Sequence, residues 1–120
     1  MPQSDHSLPR LAIDDAEPAE DGSVPVILAG EFDRDETGRF ETHIAGLVRQ
    51  HAPAPIRIDA TAVSFLDSAG INALLVCRDL AERAGSALSI PVASPVVFQV
   101  LQITELLSLF HVGEPERQAS

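Results

Sequence analysis

The sequence predicts a single α/β domain in which a mostly parallel, mixed sheet of four to five strands carries its helices mainly on one face. Three observations lead there. Short apolar segments alternate with helix-like ones along the chain, the order that builds parallel βαβ units. The third and fourth of these segments alternate apolar with polar residues, so each turns one face to water. Right-handed crossovers repeated in one direction then place every helix on the same side. A doubly wound dinucleotide-binding sheet is disfavoured further, because no Gly-x-Gly-x-x-Gly follows any strand.

Residues 1–7 and 113–120 are polar and are expected to be loose ends around a domain over 8–112. Leu11 to Ile13 reads as a first strand. The acidic turn Glu17-Pro18-Ala19-Glu20-Asp21-Gly22 joins it to a second, Val24 to Ala29, as a hairpin. Pro25 belongs at the start of that strand or on a free edge, because it has no N–H for a ladder. Phe40, Ile44, Leu47 and Val48 fall at i, i+4, i+7 and i+8, the stripe of an amphipathic helix that Pro53 and Pro55 end. In a third strand over 56–60, Ile56 and Ile58 alternate with Arg57 and Asp59. Residues 69–84 form a nearly apolar second helix closed by Gly85. The fourth strand sets Leu88, Ile90 and Val92 against Ser89, Pro91 and Ala93. Ser94 caps a third helix and Pro95 occupies its first position. Leu107 to Val112 closes the domain as a last strand or a short helix.

Composition narrows the function. A chain of 120 residues, 45% hydrophobic, has room for one self-sufficient core. Its net charge of −10 opposes direct nucleic-acid binding, which depends on clustered cations. All eight positive side chains are arginines. Without lysine there is no Walker-type phosphate loop, no Schiff-base chemistry and no Ser-Lys nucleophile. A receiver domain, which relies on a lysine near its phosphoaccepting aspartate, is disfavoured for the same reason. No apolar run approaches the roughly 18 residues that cross a bilayer, and no segment reads as a signal peptide. The expectation is a cytoplasmic protein without membrane insertion.

The remaining reactive side chains read as structural. Cys77 sits in an apolar helical stretch as a small buried hydrophobe. His6, His43, His51 and His111 lack metal-ligand spacing, so no metal is expected, and His51 suits a helix C-terminus. Asp14 and Asp15, and the group Asp33, Asp35 and Glu36, read as solvated acids. No acid, base and nucleophile converge, so no catalytic residue or cofactor is expected. The expectation is that the chain is not an enzyme.

Chemistry concentrates in Thr61-Ala62-Val63-Ser64-Phe65-Leu66-Asp67-Ser68-Ala69-Gly70, which leads straight into the second helix. Asp67 and Ser68 are both good caps, so one takes the cap and the other lies beside it. Capping alone would account for both. A phosphate on Ser68 would also be tolerated, because a helix start offers unpaired N–H groups and a positive dipole end. It would add nearly two negative charges beside Asp67. Ala69 and Gly70 are small enough to admit a kinase or partner. Phe32 and Phe65 are candidates for apolar partner contacts, with core packing the alternative for Phe65. The Ser68 turn is not the Gly-x-Ser-x-Gly of a hydrolase elbow.

Three segments carry a family likeness: Gly30-Glu31-Phe32-Asp33, the strand ending in Ile58-Asp59, and Val63 through Gly70. Downstream, Val92-Ala93-Ser94-Pro95-Val96, Leu101-Gln102-Ile103-Thr104 and Leu109-Phe110 continue it. Together they resemble the STAS domain of anti-sigma factor antagonists over roughly residues 8–112. Glu105 stands where that family commonly has glycine after the threonine.

The resemblance implies a STAS fold and a partner switch. The unmodified protein would bind an anti-sigma factor that is also a serine kinase, freeing the sigma factor. Phosphorylation at Ser68 would break that complex, and a serine phosphatase would restore it. Partner contacts would fall on Glu31, Phe32, Asp33, Asp67, Ala69 and Gly70, with the Gly30-to-Asp33 turn beside the phosphorylatable loop. The expected state is a monomer or weak dimer. The alternative implied role is a STAS subunit of a lipid-transport ABC complex or of a stressosome-like scaffold.

Overall fold

The computed structural model describes residues 10–113. The expected loose segment 1–7, the domain start at residue 8 and tail residues 114–120 lie outside the described residues. Four strands and three helices follow in order: β1 (Leu11–Asp15), β2 (Val24–Phe32), α1 (Thr37–His51), β3 (Ile56–Leu66), α2 (Ser68–Arg83), β4 (Leu88–Ala93) and α3 (Pro95–Ile103). A 3-10 turn over Arg34–Glu36 joins β2 to α1. The sheet order is β1-β2-β3-β4, with the β1–β2 hairpin antiparallel and the β2–β3 and β3–β4 pairs parallel.

Among the described residues one face of this sheet meets the helices and the other meets none. Val26, Leu28, Ile58, Ala60 and Ile90 are buried in a common core with Phe40, Ile44, Leu74, Val97 and Leu101. On the other face the register sets Asp14, Ile27, Asp59 and Val92 side by side across all four strands. Ile27 and Val92 stay 40% and 47% exposed there. Among the described residues no helix is long and apolar enough to cross a membrane.

The turn before β2 is held by Asp21, whose side chain accepts from the Ser23 hydroxyl at 2.7 Å and its N–H at 2.9 Å. Those bonds, the hydroxyl first, hold the Asp21 carboxyl below the usual carboxylate range. The apolar stripe of α1 is buried as its spacing predicts: Phe40, Ile44, Leu47 and Val48. A second, polar stripe fastens the edge strand. Arg39 donates to the Leu11 carbonyl and lies 2.8 Å from Glu36, whose other oxygen accepts the Arg10 N–H at 3.1 Å. One turn on, His43 lies 2.7 Å from Asp15. Glu36 is therefore buried at 7% exposure and not the solvated acid its sequence context suggested. Arg39 balances its charge, as burial of a carboxylate requires.

Irregular pairing changes three expected elements. β2 continues through Gly30 to Phe32 instead of turning there, and β3 continues from Ala60 to Leu66. Between Ile27/Asp59 and Ala29/Ala62, and again between Gly30/Val63 and Glu31/Phe65, β3 carries one residue more than β2. Each bulge shifts the alternation by one, so the buried residues run Ile56, Ile58, Ala60, Val63, Leu66. In β4 an extra residue near Pro91 does the same. Ala93, not Val92, is then the buried residue. The segment 107–112 is neither strand nor helix but a run of turns. It covers the edge of β4: the Ile90 N–H donates to the Phe110 carbonyl at 2.9 Å, and Phe110 is fully buried.

Glu105 adopts φ +63, the left-handed conformation in which glycine is free of steric cost. The helix end it serves is intact. The Glu105 N–H reaches the Gln102 carbonyl at 3.0 Å, and the Leu106 N–H reaches the Leu101 carbonyl at 2.7 Å. This is the double bond pattern of a Schellman end.

Cys77 is fully buried on α2. Burial raises its thiol pKa to about 12, with the nearby Glu41 carboxylate adding to the shift. The native thiol is expected to resist alkylation at pH 8 and to react within seconds in denaturant, as a thiol-reactive dye would report. Because the folded pKa lies above the unfolded one, this group's contribution to stability is present below pH 8 and lost as pH rises toward 12. Fast labelling of the native protein would contradict the packing.

Candidate functional site: a serine at a helix start beside a carboxylate cluster

The C-terminal ends of the parallel strands bring two distant segments together. Glu31 pairs with Phe65 and Phe32 with Leu66, so the end of β2 and the β3–α2 junction are direct neighbours. The Asp67 N–H lies 3.4 Å from the Phe32 carbonyl, and the Ser64 hydroxyl 3.3 Å from that of Gly30. Asp67 is the N-cap of α2: its carboxylate accepts the Gly70 N–H at 2.8 Å. Ser68 is therefore the first helical residue, and it is exposed.

Two other hydroxyls nearby, those of Ser64 and Ser94, are committed. Ser94 is buried, donating to the Val63 carbonyl at 2.6 Å while accepting the Val97 N–H at 3.2 Å. Ser64 leans on Gly30 as described. Ser68 combines exposure with a position where a helix start favours negative charge. Phe65 lies next to Glu31 at 46% exposure and presents an apolar ring at the strand ends.

Two residues expected at the partner surface are internal. Phe32 is 1% exposed and packs on Phe40 with ring centroids 4.9 Å apart. Gly70 is buried as well. A β-carbon on it would meet the Phe32 carbonyl oxygen at 2.8 Å and Leu66 Cδ1 at 2.7 Å. These two residues position the site by letting the first turn of α2 sit tightly against the end of β2. Glu31 and Ser68 are exposed, whereas Asp33, Asp67 and Ala69 are half-buried.

Arg10 escaped the sequence reading. Its guanidinium bonds Asp33, lies 3.2 Å from Asp35 and 3.5 Å from Glu31. These carboxylates, Asp33 foremost through its hydrogen bond, raise the guanidinium pKa above its ordinary value. The Arg10 carbonyl accepts the Glu31 N–H at 2.9 Å. No local pattern could have flagged it, since Arg10 and Asp33 are 23 residues apart and meet only through the hairpin register. Among the described residues no group of three His, Cys, Asp or Glu side chains is placed to hold a metal ion.

Known proteins place this architecture. The profile of the family described as Mlab, STAS domain matches residues 16–110. No curated protein matches the chain in sequence. Among solved structures, the anti-sigma factor antagonist SpoIIAA in its unphosphorylated form is similar at a TM-score of 0.70, with 21% identity over 89% of this chain and 90% of that one. The Bacillus cell fate determinant SpoIIAA in its phosphorylated form gives 0.65, at 20% identity over 89% of this chain and 93% of that one. An anti-sigma factor antagonist from Mycobacterium paratuberculosis gives 0.73, at 23% identity over 89% of each chain. At these identities the likeness is one of fold.

Proposed function

The chain belongs to the STAS-domain family, and from that membership we propose that it is a phosphorylation-controlled anti-sigma factor antagonist. In its unmodified form it binds an anti-sigma factor that is also a serine kinase, and the sigma factor is released. The kinase transfers the γ-phosphoryl group of ATP to Ser68 Oγ, which loses its proton as ADP departs. The modified protein lets go, and a serine phosphatase returns it to the binding form. On this reading it is a binding module of the cytoplasm, not an enzyme.

One observation carries the reading: the exposed serine at the first position of α2, flanked by hydroxyls committed to backbone carbonyls. The neighbouring Glu31, Asp33, Asp67 and Phe65 supply polar and apolar contacts for a partner. The likeness to SpoIIAA, a protein with structures in both unphosphorylated and phosphorylated forms, supports it further. A second reading, a subunit of a lipid-transport ABC complex or stressosome-like scaffold, is favoured by the apolar side chains exposed on α2 and α3, Val76, Leu80, Val96 and Ile103.

The direct test is chemical. Incubation with the cognate kinase and ATP, followed by peptide mass mapping, is expected to place a single phosphate on Ser68. A phosphate mainly on Thr61, Ser64 or Ser94, or undiminished labelling of Ser68→Ala, would sink the assignment.

A further inference from the structure

We propose that Arg10 is a specificity-determining residue of the partner surface: its guanidinium occupies the carboxylates of Asp33, Asp35 and Glu31 in place of a basic side chain of the partner. Binding of that partner then requires exchange of one cation for another. The inference rests on the reading that the strand-end surface beside Ser68 is the partner face.

Two roles of Arg10 separate by atom. Its main chain anchors the segment, since its carbonyl accepts the Glu31 N–H and its N–H donates to the buried Glu36. Any substitution short of proline keeps those bonds. Its side chain is 49% exposed, and its partners Glu31 and Asp35 are 52% and 77% exposed. Ion pairs this open to water contribute little to stability. What the side chain does change is charge, because three carboxylates converge on one guanidinium. The least exposed of the three, Asp33 at 16%, is the one Arg10 bonds most closely. A cation approaching Asp33 from outside therefore meets Arg10 first. Like charge at the contact opposes that approach, so removing the guanidinium favours a cationic partner and disfavours none of the backbone geometry.

The test uses the full chain and a hexa-arginine peptide as probe, titrated at about 20 mM salt with amide shifts as the readout. Arg10→Gln is expected to bind the peptide about five to ten times more tightly than wild type, the effect of a unit charge removed within several ångströms of the contact. The largest shifts are expected at residues 31–35. The gain is expected to vanish by about 0.5 M salt, where charges are screened within roughly 4 Å. Arg57→Gln makes the same charge change at the opposite end of β3 and is expected to stay within about twofold of wild type. Arg10→Lys, which keeps the charge, is expected to do likewise. Equal affinities of Arg10→Gln and Arg57→Gln would overturn the proposal. So would a melting temperature more than about 10 °C below wild type for Arg10→Gln, which would make the guanidinium a structural tie. The probe is independent of the kinase: failure of Ser68 phosphorylation leaves the peptide result standing, and equal peptide affinities sink the role of Arg10 even if Ser68 is modified.

Discussion

Phosphorylation of Ser68 is expected to weaken binding of the anti-sigma factor kinase by about a hundredfold, a cost of about 2.7 kcal/mol. The site already holds Glu31, Asp33, Asp35 and Asp67, with Arg10 as the cation bonded to three of them. A phosphate adds close to two negative charges and three strong acceptor oxygens to that surface. Beside Asp67, that charge disrupts a packed contact by repelling the neighbouring carboxylates and by the cost of stripping its water, whatever cation the partner brings to Asp33, so about a hundredfold is expected. Ser68→Asp adds about half the charge, and about a tenfold loss is expected. Ser68→Ala adds none and is expected to bind within about twofold of the unmodified protein. Titration calorimetry of all four proteins against the kinase measures the series. Equal affinities throughout would reject the antagonist reading and promote the scaffold or transport one.

The same series separates charge from refolding. Ser68 is exposed at the first position of α2, outside the core, and the helix start tolerates an anion there. Amide shifts on phosphorylation are therefore expected at residues 30–36 and 64–72, the two segments joined at the strand ends. Shifts spread through the first halves of β3 and β4 would mean that the loss of binding comes from a changed fold.

Regular periodicity was legible in the sequence, and irregular pairing was not. The stripe of α1, the Ser94 cap, the Gly85 stop and the layering of the helices on one sheet face all follow from spacing or residue type alone. The two bulges of β3 turn a period of two into steps of three, so Ala60, Val63 and Leu66 share a face that alternation does not predict. The extra residue at Pro91 likewise exchanges Val92 for Ala93 in the core. Within the site, Asp67 and Ser68 were readable as a capping pair because capping is a local matter, and the structure decides that Asp67 is the cap. Phe32 and Phe65 were not separable, since each is an aromatic residue near a strand end and only the bulges decide which ring turns inward. Glu36 and Arg10 depend on each other across the hairpin, a contact that no stretch of sequence carries.

Gly30→Ala is expected to lower stability by about 3 kcal/mol, and with it the geometry of the whole site. Gly30 sits at φ +105, outside even the left-handed helical region that other residues occasionally visit. That conformation alone costs a side chain roughly 1–2 kcal/mol. A β-carbon would also lie 2.1 Å from the Arg10 carbonyl oxygen, which cannot swing away because it accepts the Glu31 N–H. Overpacking of this kind adds about 1–3 kcal/mol. Relief requires β1 to separate from β2 at the Leu11–Gly30 pair, and Gly30 is also paired to Val63 on its other side. For a domain of this size the loss corresponds to a fall in melting temperature on the order of 12 °C. Gly46→Ala is the control: within α1 its β-carbon meets nothing closer than Arg49 Nη2 at 3.9 Å, and a gain of up to about 1 kcal/mol is expected from helix propensity. A Gly30→Ala protein melting within about 3 °C of wild type would show that the bulge tolerates a side chain. Any Gly30→Ala protein that does fold is expected to bind the kinase poorly, because Glu31 and Asp33 follow directly from the strand that has moved.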